Sequence, residues 1–181
     1  AAAMIPQPHA GNTALTPPGS TGQDKVGRKE LATKPLAVIA IAGIALSLFY
    51  ILPGETAPPL DDTYIHCQFA RNLARGGGFS FNKGEQVPGD TALLWVVVLA
   101  GLSFITKEFV VTSIIAAAGF FILSGVAVYF LCLKLRQGGM VACCAAVLTL
   151  LAGRYAWCAL SGMETAMFTF LVLIAVMFHL D

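Results

Sequence analysis

Between positions 109 and 133 the chain runs for 25 residues without a charged side chain. As one α-helix that segment is about 38 Å long at ~1.5 Å per residue, longer than the ~30 Å hydrocarbon core of a bilayer. A soluble domain offers no core that could cover such a helix on every side. Three more apolar runs lie at residues 36–52, 140–160, interrupted near its far end by Arg154, and 166–180. Hydrophobic residues make up 57% of the 181 positions and charged residues 12%, and the formal charge is +1. That balance excludes the basic field that binds nucleic acid. The fold class this predicts is all-α: a polytopic transmembrane helix bundle of about four spans.

Orientation follows from the few charges. Residues 1–34 hold Pro6, Pro8, Pro17 and Pro18, lack apolar periodicity and read as a flexible tail. Lys25, Arg28, Lys29 and Lys34 crowd the end of that tail, just before the first apolar run, so the positive-inside rule puts the N-terminus in the cytoplasm. The run is longer than a typical signal-peptide core and reads as an uncleaved anchor. Residues 53–90 then form an external loop carrying five of the ten acidic side chains: Glu55, Asp61, Asp62, Glu85 and Asp90. Residues 91–105 give only about 22 Å of helix. Read as a re-entrant or interfacial helix, this segment leaves Lys134 and Arg136 on the cytoplasmic side, as the charge rule prefers. The transmembrane domain covers residues 35–181, and the chain reads as part of a longer polytopic protein.

Chemistry concentrates at two places. Asp61 and Asp62 open a helical pattern over residues 63–75, with Ile65, Phe69 and Leu73 on one arc and Gln68, Arg71, Asn72 and Arg75 on the other. This predicts an amphipathic helix at the membrane interface, ended by Gly76-Gly77-Gly78. The aspartates suit an N-cap and its neighbour, and equally a base beside cations. His66 falls on the apolar arc and reads as a packed, neutral histidine. Lys83 and Glu85 read as solvated loop residues. Ser161-Gly162-Met163-Glu164-Thr165 matches a capping box, Ser161 the cap and Glu164 three residues on. Arg154 and Glu164, at a membrane mouth, also qualify as functional charges. On this topology Glu164 lies on the same side as Asp62. The five cysteines form no CxxC pair and read as small packing residues.

The stretch DDTYIHCQFARNLARGGGFSFNKGEQVPGDTALLW, residues 61–95, resembles the first external loop of bacterial integral-membrane glycosyltransferases of the GT-C superfamily, and SGMETAMFTFLVL, residues 161–173, resembles a second segment of the same group. The chain departs from the pattern at Asp90, where an aromatic is usual, at Lys83, where proline is common, and the position of His66 varies.

The resemblance implies a transferase in the bacterial inner membrane that moves a sugar from a polyprenyl-phosphate donor to a hydroxyl acceptor on the extracytoplasmic face. It implies Asp62 as general base with Asp61 as its partner, Arg71 or Arg75 as the cation for the leaving phosphate, and Glu164 as a second acidic substrate-binding position. Some relatives hold a divalent cation there and others do not, so Mg or Mn stays open. Two alternatives need no transfer chemistry. One is a non-catalytic subunit packed in a larger membrane complex through small-residue faces such as Ala116 to Gly119, Ser124-Gly125 and Ala142 to Ala146. The other is part of a transporter with a broken helix.

Overall fold

The computed structural model describes residues 22–52, 60–82, 84–85 and 89–180. These residues form seven helices and no strand: α1 (Gly22–Ile51), α2 (Asp61–Ala74), α3 (Leu93–Leu102), α4 (Phe109–Lys134), α5 (Gly139–Leu151), α6 (Gly153–Leu160) and α7 (Thr165–His179). Residues 1–21 of the expected tail lie outside the described residues. The rest of that tail is helical, because α1 begins at Gly22, well ahead of the apolar run, and carries Pro35 inside it.

Two segments are long and apolar enough to cross a membrane, Thr33–Ile51 and Phe109–Lys134. A third is made if α5 and α6 count as one span, although they meet at a 63° bend. Ala152, at the break, has an extended backbone, which interrupts the helical hydrogen-bond ladder between them. Its amide still reaches the Thr149 carbonyl at 3.3 Å. α7 is apolar but has only 15 residues, about 22 Å of helix, shorter than a bilayer core. The chain is therefore an all-helical protein with membrane-spanning character and two or three candidate spans.

α4 is the axis of the bundle. One cluster surrounds its C-terminal half, with Ile39 of α1, Phe121 and Tyr129 of α4, Ala142, Ala146 and Leu150 of α5, and Ala166 of α7. Without a hydrophobic driving force between helices in lipid, close packing must supply the attraction. Small residues provide it here: Gly43 of α1 lies against Ile122, and Gly125 of α4 against Leu150. α7 runs parallel to α4, since the Ser124 hydroxyl reaches the Ala166 carbonyl and Lys134 donates to the Met177 carbonyl.

A second cluster joins the N-terminal half of α4 to the two short helices. It contains Cys67, Phe69 and Ala70 of α2, Trp95, Val96 and Leu99 of α3, Phe109 and Ala117 of α4, and Met167 of α7. α2 is thus covered by protein along one face. Its C-terminus closes as a Schellman turn, with Gly76 N–H on the Leu73 carbonyl and Gly77 N–H on the Asn72 carbonyl, and Gly76 takes the left-handed φ of 75° that this turn requires. Asn72 and Gln68 then hold the returning loop through the Ser80 and Phe81 carbonyls.

Candidate functional site

The start of α2 docks on the turn between α6 and α7. Thr63, fully buried, donates to the Ser161 carbonyl at 2.9 Å, and the indole Nε1 of Trp95 donates to the Gly162 carbonyl at 3.2 Å. Gly162 has a φ of 86°, and a β-carbon there would stand 2.8 Å from the Ser113 hydroxyl and 3.0 Å from Thr63. Only glycine lets this turn come so close to α2 and α4.

One turn along α2 from Thr63, on the same face, His66 stands between two carboxylates. Its Nδ1 is 2.7 Å from Asp90 Oδ2, and its Nε2 is 3.1 Å from Glu164 Oε2. The Nε2 contact lies off the hydrogen-bonding direction and is a charge contact. Asp90 uses its other oxygen to accept the Ala92 N–H at 2.7 Å, an Asx turn leading into α3. The three side chains differ in access: 0% exposed for Asp90, 6% for His66 and 30% for Glu164. Asp90 is the hidden anchor and Glu164 the face offered outward.

Burial pushes the His66 imidazole down, but the Glu164 and Asp90 carboxylates beside it outweigh that and hold the ring above its ordinary value of 6.5. Glu164 moves the opposite way. The His66 partner, against the opposing effect of burial, lowers it from 4.5. Both shifts favour an imidazolium between two carboxylates. The reading of His66 as packed holds for its burial, while the neighbouring carboxylates favour its charged form: a helical wheel shows only the arc of its own helix, and these carboxylates come from residues 24 and 98 positions away.

Two capping expectations are also corrected. The N-cap of α2 is Leu60, with Asp61 and Asp62 exposed in the first helical turn, where they still complement the helix dipole. The N-cap of α7 is Glu164, so the capping box does not form; Ser161 instead donates to the Cys158 carbonyl at 2.7 Å. Glu164 is spared for His66.

Asp62 lies one helical turn before His66 on α2, which brings both expected acidic positions, Asp62 and Glu164, to the same end of the bundle. The arginines do not join them. Arg71 and Arg75 lie about 13 Å and 19 Å further along the helix axis at ~1.5 Å per residue. Arg71 instead contacts Gln68 and stacks over the Phe109 ring, and Arg75 is exposed at the C-cap. Arg154 is exposed and stacks over Trp157. Glu85 is exposed and accepts a hydrogen bond from Asn82, and Lys83 lies outside the described residues.

Among the described residues no three His, Cys, Asp or Glu side chains are arranged to hold a metal ion. His66 presents a nitrogen to each carboxylate and so keeps the two acids on opposite sides of its ring, which does not fit a shared cation. The five cysteines are free thiols. Burial raises the Cys67 thiol above its usual range, an unreactive setting.

Beside Glu164 opens a cavity of about 450 Å³ between α3 and α7, walled by Leu94, Trp95, Met167, Phe168 and Leu171. Glu164 is the one ionisable group among its described lining residues; Thr91 and Thr165 add neutral polar atoms. The arrangement offers a buried anchor, a positioned imidazole and a carboxylate beside an apolar cavity.

No family model, curated protein or solved structure matches the chain.

Proposed function

We propose that the chain is the membrane-embedded part of a lipid-linked sugar transferase of the GT-C type, with α2 and the α6–α7 turn on the extracytoplasmic side of a bacterial inner membrane and α5–α6 and α7 completing a four-span bundle. The observation that carries this reading is the junction of the two segments that resemble the family: Thr63 bonded to Ser161 and His66 in contact with Glu164. Residues 98 positions apart in sequence thus meet, and one of them, Glu164, borders an apolar cavity.

In this mechanism Asp62 takes the proton of the acceptor hydroxyl while that oxygen attacks the anomeric carbon. The bond from that carbon to the lipid phosphate breaks, and the phosphate leaves with the electron pair. Asp61 supports the charge of Asp62, and Glu164 orients a polar group of the substrate. Arg71 and Arg75 are too far along α2 to steady the phosphate beside Asp62, so that cation comes from elsewhere.

The experiment is transfer from labelled polyprenyl-phosphate sugars in nanodiscs by the wild type and by Asp62→Asn. The expected result is turnover by the wild type and a loss of about 100-fold or more in the variant. Equal turnover removes Asp62 as base.

One observation favours the second reading, a non-catalytic subunit. Ile115, Gly119 and Leu123 recur every fourth residue on an outward face of α4, and nothing lies within 4 Å of where a Gly119 β-carbon would be. Such a face suits a helix of another chain. Stoichiometric co-purification of a partner in mild detergent, abolished by Gly119→Phe, supports it.

A further inference from the structure

We infer that the cavity between α3 and α7 binds an apolar molecule with a hydroxyl end, a medium-chain alcohol in chemical class, whose O–H donates to the Glu164 carboxylate. This inference stands on the cavity and not on the transfer reaction.

The size of the chamber, about 450 Å³, lies in the range of small-molecule sites, roughly 300–1,000 Å³. Its walls, Leu94, Trp95, Met167, Phe168 and Leu171, offer an aliphatic chain contact and little else. The recognition chemistry is therefore confined to the Glu164 end.

Charge selects the head group there. Two acidic side chains, Asp90 and Glu164, face the single imidazole of His66, and no Lys or Arg is among the described lining residues. A phosphate or carboxylate head is repelled. An ionised Glu164 is an acceptor only, so the matching group is a donor. Glu164 Oε2 is buried against His66 Nε2, but the side chain is 30% exposed and borders the cavity, so the rest of the carboxylate retains acceptor capacity toward it. A neutral hydroxyl satisfies it without taking a second cation out of water into apolar walls.

Trp95 lines the cavity and can report on it. In a Trp157→Phe background, where Trp95 is the remaining indole, a medium-chain alcohol brominated at its far end should quench Trp95 fluorescence saturably in nanodiscs. Glu164→Ala should weaken that binding about tenfold or more, the scale of one hydrogen bond to a charged acceptor. Leu171→Trp, which fills the wall without touching the acid, should weaken it also. The matching brominated alkyl phosphate should bind at least tenfold more weakly than the alcohol. Four results overturn the inference: a brominated alkane quenching as well as the alcohol, an alkyl phosphate binding as tightly, an alkylamine binding tenfold tighter, or alcohol affinity unchanged in both Glu164→Ala and Leu171→Trp.

Discussion

The Nδ1 of His66 lies 2.7 Å from Oδ2 of Asp90, a carboxylate with no exposure to solvent. From the sequence His66 reads as a neutral packing residue, and the resemblance to the GT-C pattern leads one to expect an aromatic at position 90. Together they explain each other. A buried carboxylate needs donors, and His66 and the Ala92 amide supply them. The second nitrogen of the ring then carries the arrangement to Glu164.

The charges on this cluster predict how stability depends on pH. His66 has a folded pKa above its unfolded 6.5, so its contribution is full below 6.5 and is lost as pH rises through the folded value. Glu164 has a folded pKa below 4.5, so its contribution is full above 4.5 and is lost as pH falls through the folded value. Thermal unfolding in detergent should therefore show greatest stability between 4.5 and about 6.5, with declines on both sides. In Glu164→Gln the alkaline decline should be smaller and complete at a lower pH.

Gly162→Ala should disrupt the turn that presents Glu164. The left-handed backbone costs a non-glycine residue about 1–3 kcal/mol, and the new methyl would also press on Ser113 and Thr63. A fall in unfolding midpoint, together with faster hydrogen exchange at the Thr63 end of α2, is the expected outcome.

The helix contact of Gly125 with Leu150 sets a third test. A β-carbon at position 125 would stand 2.9 Å from Leu150, whereas at Gly119 it would meet nothing within 4 Å. Gly125→Val should cost about 1–3 kcal/mol by overpacking. Gly119→Ala should stay within about 0.5 kcal/mol of wild type. The comparison, read by thermal unfolding in one detergent, separates buried from open small residues.

How far the sequence was readable depends on the range of the physics involved. The 109–133 run announced α4, and the pattern over residues 63–75 announced α2, because helical periodicity and apolar length are local properties. The break near Ala152 was hinted at only by Arg154, which interrupts an apolar run, residues 140–160, that otherwise reads as one span. The length of α7 was readable, but its apolar character alone suggested a span. At the site, Asp62 and Glu164 were legible as acids at membrane mouths. Arg71 shares a helix with Asp62, yet it lies along the axis from it. The His66–Asp90–Glu164 cluster was not legible, because its members come from three segments joined only by tertiary packing. The signal available in retrospect is the pairing of two oddities, a histidine on an apolar arc and an aspartate in an aromatic position.

The central claim is that His66 is an imidazolium held between Asp90 and Glu164, and it is tested most directly by nitrogen NMR of the His66 ring through a pH titration in nanodiscs. The account predicts a midpoint above 6.5 in the wild type, with a fall in both Asp90→Asn and Glu164→Gln. A wild-type midpoint at or below 6.5, unmoved by either substitution, would contradict it.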